Sequence, residues 1–278
     1  SKIGNDLSTL GYSVSDVQML NEIITKPHGI ILVTGPTGSG KTSTLYTCLG
    51  SLNQDNRKII TIEDPIEYNL EGVTQMQTKA KIGFDFACGL RSILRHDPDI
   101  VLIGEIRDKE TAEIALRSAL TGHLVFSTLH TNNASQAVTR LMDMGLERYL
   151  IADSLECVVA QRLVRVVCPH CKISVQISDQ DRKRLSSLYP GIQLPQSVYC
   201  GIGCPECNNT GYNGRTVIYE IIHMNNTLKN LIHQKANAEE IHIEALKNGM
   251  KPLFLSGLEK VFRGITSLDE LFKIAAIG

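Results

Sequence analysis

Apolar residues follow two rhythms along this chain. Uninterrupted runs of strand length recur at "IILVT" (30–34), "KIITIE" (58–63), "DIVLIGE" (99–105) and "HLVFSTLH" (123–130). Between them the spacing turns helical. In 15–25 ("SDVQMLNEIIT"), Ser15 is placed to N-cap a helix whose apolar face is Val17, Leu20, Ile23 and Ile24; Pro27 and Gly29 end it. "KTSTLYTCLGSL" reads as a second helix, and "KETAEIALRSALTG" as a third, with Ala112, Ala115, Leu116, Ala119 and Leu120 at helical spacing and Gly122 as its C-cap. Continuous apolar strands alternating with helices predict an α/β protein whose parallel sheet is covered on both faces. Ligands of such sheets lie at the carboxyl ends of the strands. Helices are expected at 134–144 and 147–160. The stretch 161–222 then changes character: it is rich in Cys, Pro, Gly and Asn, with short β-type runs "RLVRVV" and "RTVIYEII". From 223 the pattern is helical again ("TLKNLIHQ", "AEEIHIEALKNG", "LFLSGLEKVFRG", "SLDELFKIAAI"). The expected division is therefore a core at 1–160, a cysteine-bearing module with flanking strands at 161–222, and a helical segment at 223–278.

Composition bounds the function without naming it. The chain has 278 residues, 42% hydrophobic and 21% charged, ordinary for a globular protein. Lys plus Arg is 28 against 29 for Asp plus Glu, a net charge of −1, which gives no global attraction to nucleic acid or anionic membrane. No apolar run approaches the length of a membrane span. Eight cysteines in a chain with no secretion signal, some at paired spacing, point to metal binding rather than disulfides. The chain begins without Met, as a piece of something longer would.

The first candidate site is "GPTGSGKT", directly after a buried strand and before a helix. Gly35, Gly40, Lys41 and Thr42 match G-x-x-x-x-G-K-[ST] at every fixed position. Gly35, Pro36, Thr37, Gly38, Ser39 and Gly40 would turn successive backbone N–H groups into one concavity at a helix N-terminus, an anion site. Lys41 would reach the β- and γ-phosphates and the Thr42 hydroxyl would ligate Mg²⁺, with Ser43 beside it. The competing reading is a plain Gly-rich turn. At the end of the second run, "IEDPIEY" puts Glu63 where it can face the γ-phosphate and orient or deprotonate water; a solvated Glu-Asp-Pro turn is the alternative. "DPDIVLIGEIRD" has the Walker B layout with Glu105 in place of the usual Asp, a carboxylate suited to hold Mg²⁺ through water. "TGHLVFSTLHTN" carries His123 and His130, of which His130 is placed to sense the γ-phosphate; satisfied structural histidines are the alternative. Arg91, Arg95, Arg107, Arg140 and Arg215 are candidates for transition-state charge or for ordinary salt bridges. "CPHC" (Cys168, Cys171) and "CPEC" (Cys204, Cys207) form two C-x-x-C knuckles able to make a closed, structural four-thiolate Zn²⁺ site. Free buried cysteines and a redox dithiol are the other readings.

These boxes in this order, "GPTGSGKT", "ITIEDPIEY", "RSILRHDPDIVLIGEIRD" and "GHLVFSTLHTN", resemble the ATPases of type II secretion and type IV pilus assembly, where the last three are named the Asp box, Walker B and His box. "RLVRVVCPHC", "CPECNNTGYNGRTVIYEII" and "GMKPLFLSGLEKVFRGITSLDEL" resemble that family's tetracysteine insertion and helical end, so the resemblance covers nearly the whole chain. It implies a RecA-like P-loop core, ATP with Mg²⁺ and Zn²⁺ as cofactors, and an ATP-hydrolysing motor for secretion or for pilus or pseudopilus assembly. It also implies a homo-hexamer in the full-length protein, on the cytoplasmic face of the inner membrane against platform proteins, with no nucleic-acid partner. By resemblance Lys41 and Thr42 hold phosphate and Mg²⁺, Glu63 activates water, Glu105 is the Walker B acid, and His123 and His130 are the His-box pair. Arg91, Arg95, Arg107, Arg140 and Arg215 match family arginines of nucleotide or subunit contacts. The tetracysteine module sets this chain with the assembly or secretion branch, since retraction-type pilus motors lack it. His96 stands where Gln is usual, Lys81 where Arg is common, and Ser43 where Thr is usual. The family's N-terminal domain is not in this chain, so slow turnover is expected of it alone. A RecA-like nucleic-acid motor is the competing reading; it calls for a basic channel with stacking aromatics, and this chain is 5% aromatic with no Trp.

Overall fold

Strands with no polar face must be covered on both sides, and that requirement organises the fold. The computed structural model describes residues 6–275. A short 3₁₀ turn precedes α1 (Val14–Ile24), which is N-capped by Ser13. There follow β1 (Gly29–Thr34), α2 (Lys41–Leu52), β2 (Ile59–Glu63), β3 (Thr74–Gln77), α3 (Phe86–Leu94), β4 (Ile100–Ile103), α4 (Lys109–Leu120) and β5 (Leu124–Leu129). Next come α5 (Ala134–Asp143), α6 (Arg148–Ser154), β6 (Leu155–Val167), β7 (Lys172–Gln176), α7 (Asp179–Leu188), β8 (Ser197–Gly201) and β9 (Tyr212–His223). The chain closes with α8 (Asn226–His233), α9 (Ala238–Lys247), α10 (Leu253–Phe262) and α11 (Leu268–Ala275).

Seven strands form one sheet in the order β3-β2-β4-β5-β1-β6-β9, and β7 pairs antiparallel with β8. The pairs β1·β5, β1·β6, β2·β3, β2·β4 and β4·β5 are all parallel. Every residue of β1, β2, β4 and β5 is buried. The alternating strand–helix pattern thus gives the expected α/β parallel sheet.

The folded chain divides into two compact units, Ser1–Arg162 with Glu220–Lys251, and Leu163–Tyr219 with Pro252–Gly278. In the first, helices cover the sheet around a core that includes Leu32, Ile62, Leu90, Val125, Val138 and Ile151, and α8 and α9 contribute Leu228, Ile232 and Ile241 to it. Buried Glu220, where the chain re-enters this unit, accepts the Ala134 N–H at 2.8 Å and so satisfies an orphan donor at the start of α5. In the second unit, Val164, Leu185, Val198, Ile218, Leu258, Val261 and Leu271 form a separate core, and Glu270 takes two hydrogen bonds from the Arg165 guanidinium at 2.7 and 2.9 Å.

Two local expectations are corrected. The helix expected over 147–160 is α6 followed by β6: "LECVVAQRLVRVV" starts as a strand at Leu155, because it docks on β1 with Ile31 opposite Cys157 and Thr34 opposite Ala160. The N-cap of the first helix, expected at Ser15, is Ser13, whose side chain accepts the Asp16 N–H. Between the knuckles, where the sequence pattern names no element, lie β7, α7 and β8. The edge strand β3 was too short and polar ("TQMQ") to stand out.

Candidate nucleotide and metal sites

β1 ends at Thr34 and the chain turns through Gly35–Gly40 into α2. Gly40 is left-handed at φ 87°, as a helix entry without a side-chain cap allows. Gly35 lies at φ 149°, where a Cβ would stand 2.4 Å from the Gln161 carbonyl oxygen. The tip, Pro36, Thr37 and Gly38, is exposed, while Gly35 and Ser39 are buried. Lys41 Nζ curls back to donate to the carbonyls of Gly35 at 2.8 Å and Pro36 at 3.1 Å. Burial lowers its ammonium pKa, Glu105 opposes that, and Arg162 adds to it. The Ser39 hydroxyl is buried and has no hydrogen-bond partner among the described residues. A cation bonded only to its own loop, an orphaned hydroxyl and a helix N-terminus together fit an anionic ligand.

The acidic residues come to the same end of the sheet. Glu63, the last residue of β2, is 3% exposed. It accepts hydrogen bonds from Tyr46 of α2, from Thr61 Oγ1 at 2.5 Å and from Gln75 Nε2 of β3 at 3.1 Å. Burial, then the hydrogen bond to Glu63, raises the Tyr46 phenol well above its ordinary value. Glu105 follows β4 and Gly104. Burial pushes its carboxyl up, but Arg107 and His130 outweigh that, and the pKa ends below the usual range. Arg107 forms an ion pair with one oxygen, and His130 Nε2 lies 3.0 Å from the other. Thr128 Oγ1 and Ser127 Oγ, on β5, each donate at 2.8 Å, to the carbonyls of Gly104 and Ile103, and fix the strand ends together.

Other candidates are not brought there. His123 precedes β5 and its Nδ1 lies 3.1 Å from the Ser118 carbonyl, so it sits at the opposite end of the strand from His130, roughly 20 Å away. Arg91 pairs with Glu110 on the exposed side of α3 and α4. Arg95, Arg140 and Arg215 are exposed. Thr42 and Ser43, half-buried, open α2 beside the loop.

Two neighbours of the loop escaped the sequence reading. Gln161 Nε2 donates to the Ser39 carbonyl at 2.8 Å, and its oxygen accepts from Tyr12 and Thr44 at 2.9 Å each. Arg162 donates to Asn132 Oδ1 at 3.1 Å and is buried. Their signal was a polar pair, "QR", in the middle of an apolar run.

In the second unit the four knuckle cysteines converge. Their Sγ atoms all lie within 4.8 Å of one another, with Cys168–Cys204 at 3.9 Å, Cys171–Cys207 at 3.8 Å and Cys204–Cys207 at 3.7 Å. A tetrahedron with metal–sulfur bonds of about 2.3 Å has edges of roughly 3.8 Å, so the donor set fits Zn²⁺. Burial pushes the Cys207 thiol up, but N–H groups of Cys204 and Gly211, 3.3 and 3.2 Å from its sulfur, draw it down to about 6. Cys171 is pushed up to about 12, chiefly by burial. The knuckles meet closely: a Cβ on Gly201 would lie 2.0 Å from the Gly211 carbonyl.

A Gly-rich loop at the carboxyl end of a central strand in a mostly parallel sheet, with acidic residues at the carboxyl ends of β2 and β4 in the same sheet, defines a RecA-like P-loop protein. More narrowly, residues 1–273 match the model of the family described as Type II/IV secretion system protein, and the chain belongs to that family. It is 48% identical over 272 residues to the Type II secretion system protein E of Aeromonas hydrophila, covering 97% of this chain and 53% of that protein. It is 46% identical over 268 residues to the type IV pilus assembly ATPase TfpB of Acinetobacter baylyi, covering 96% and 46%. Among solved structures it resembles the pilus retraction motor PilT with bound ADP, with a TM-score of 0.70 at 28% identity over 99% of this chain and 67% of that one. The chain spans about half the length of the curated relatives it matches. Among the described residues, no helix is long and apolar enough to cross a membrane.

Proposed function

We propose that this chain binds ATP with Mg²⁺ at Gly35–Ser43 and hydrolyses it, as the motor portion of a type II secretion or type IV pilus-assembly ATPase. The observation that carries the reading is the meeting of Lys41, Glu63, Glu105 and His130 at one end of a parallel sheet, around a loop whose lysine has only its own backbone as partner. The relatives named for secretion and pilus assembly, and the ADP held by PilT, support it.

Lys41 exchanges its two carbonyl partners for phosphate oxygens. The backbone N–H groups of the loop and the Ser39 hydroxyl add neutral donors. Thr42 and Glu105 would hold Mg²⁺, which neutralises phosphate charge when bound. Glu63 orients and deprotonates the attacking water. Tyr46, Thr61 and Gln75 occupy three of its about four lone-pair sites, which fixes the carboxylate and leaves one direction for the water. His130 moves from Glu105 toward the terminal phosphate. Arg107, paired with Glu105 here, would share that carboxylate with the metal. Arg91, Arg95, Arg140 and Arg215, exposed in this chain, contact neighbouring subunits of a homo-hexamer, and His123 serves the fold. The four thiolates hold a structural Zn²⁺. The division into a core at 1–160, a module at 161–222 and a helical segment at 223–278 belongs to this proposal as an account of roles. So do the cytoplasmic inner-membrane location and the platform partners.

Calorimetric titration with ATP and Mg²⁺, followed by a phosphate-release assay, tests the reading on this chain and on the full-length protein. Binding by both and faster turnover by the full-length protein are expected. Absence of nucleotide binding would overturn the reading. Turnover stimulated by single-stranded DNA would replace it with that of a nucleic-acid motor.

A further inference from the structure

A buried cation is costly unless an anion accompanies it. Some partly buried cations of this protein meet that rule: Arg165 has Glu270, and Lys26 has Glu156. Arg162 does not. It is 8% exposed, and among the described residues no carboxylate forms an ion pair with it. Among the described residues its hydrogen-bond partner is the neutral Asn132 amide oxygen, and burial pulls its guanidinium below the ordinary arginine value.

The place of Arg162 says what it waits for. β6 runs parallel to β1, with Thr34 opposite Ala160, so the next residues of β6 flank the phosphate loop. Gln161 and Arg162 alternate across the strand. Gln161 turns to Ser39, Thr44 and Tyr12 and holds the loop from one side. Arg162 turns to the segment after β5, and it lies close enough to Lys41 to push that ammonium toward its neutral form. Two like charges are therefore held together beside an anion-shaped loop, with Glu105 the acid that steadies Lys41.

We propose that Arg162 is a second phosphate-binding cation of this site, contributed by the same chain, which contacts the phosphate oxygens that Lys41 reaches. This rests on the nucleotide reading above. The energetic cost of burying the guanidinium without a counter-charge is carried by the free protein and relieved by the polyphosphate. The arrangement then has an unusual signature. Neutralising an arginine of a structural ion pair destabilises a protein, whereas neutralising Arg162 leaves the free protein as stable as before or more so, and removes ligand affinity.

The test compares the parent with Arg162→Gln, Arg162→Lys and Asn132→Ala, measuring the thermal midpoint without nucleotide and the Kd for ATP with Mg²⁺. Arg162→Gln is expected to keep or raise the midpoint and to weaken ATP at least about 10-fold, in line with a charge-assisted hydrogen bond. Arg162→Lys retains the charge and most of the affinity, and Asn132→Ala binds as the parent does. Unchanged ATP affinity in Arg162→Gln overturns the assignment. So does a loss of affinity that comes with a lowered midpoint and is matched by Asn132→Ala, because Arg162 would then be acting through its structural bond. A parent that binds no ATP fails the nucleotide reading itself and takes this assignment with it.

Discussion

The phosphate loop and the cysteine knuckles are both tight turns that aim backbone N–H groups at a small centre, but they are held in opposite ways. The loop is held by contacts with the rest of the protein. Gly35 packs on the Gln161 carbonyl, the Gln161 amide holds Ser39, and the strand before it is buried along its whole length. The knuckles hold each other through backbone bonds, Cys168 N–H to the Gly211 carbonyl at 3.0 Å and Ile202 N–H to the Cys171 carbonyl at 3.2 Å, without an apolar core around the sulfurs. The cluster around them consists of Cys168, Cys171, Cys207 and the partly buried Cys204, separate from the apolar core of their unit. On the proposed reading, one site owes its order to the protein and would spend binding energy on its ligand, while the other would owe its order to a bound metal.

Metal loss should separate the two most sharply. Cys168→Ser, or chelation, is expected to abolish amide protection across 168–172 and 200–211 while leaving the amides of β1, β4 and β5 unchanged, as read by hydrogen exchange together with elemental analysis for zinc. Apparent zinc contributions in small zinc-binding peptides reach about 10 kcal/mol or more, so the local effect should be near complete. Protection lost equally in both regions would break the contrast. Lys41→Ala should do the reverse: turnover falls by at least about 100-fold with the thermal midpoint within a degree or two, since the lysine bonds only its own loop. A midpoint that drops sharply would mean the loop depends on its lysine for shape.

Smaller changes sharpen the comparison. Glu63→Gln should retain ATP binding and lose turnover, and parent-rate hydrolysis by it would remove Glu63 from the chemistry. Tyr46→Phe should cost about 1–3 kcal/mol in a denaturant titration, because a buried carboxylate loses a donor. In the second unit, hydrogen bonds from Arg165 hold the Glu270 carboxyl at about 2, against burial. Its depressed pKa makes it a source of stability above the ordinary glutamate range, lost as pH falls from about 4.5 toward 2. Glu270→Gln should therefore lower stability by about 1–3 kcal/mol at neutral pH and by progressively less in acid. Metal release in acid is common to both proteins and cancels in the difference. A constant difference at every pH would show that the carboxylate charge is not what matters.

The sequence pattern reached some of this and missed the rest for identifiable reasons. Runs such as "IILVT" and "HLVFSTLH" were readable because a strand buried on both faces leaves a short, purely apolar trace bounded by turn residues. The same absence of period hid β6: "LECVVA" continues from α6 with no break, and only its docking on β1 makes it a strand. The four cysteines were readable from spacing alone, since metal geometry constrains the chain locally. The surroundings of Glu63 were not. Gln75 sits on an edge strand too short to detect and reaches the carboxylate only through the β2·β3 register. Gln161 and Arg162 lie more than a hundred residues from the loop they flank, so the polar pair in an apolar run marked a special position without saying what it serves.

The unit that carries the phosphate loop is interrupted. Its chain leaves at Arg162 and resumes at Glu220, and the returning segment brings the carboxylate that holds the first N–H of α5 and the apolar faces of α8 and α9. During synthesis the ribosome must therefore deliver the knuckles before the earlier-made half can close its core. At about 5–20 residues per second, the 57-residue interruption keeps that core open for some seconds, a window for chaperones and for aggregation. A chain ending at Arg162 would hold every residue of the phosphate loop and its acids, yet leave them on a sheet without the segment that completes its core.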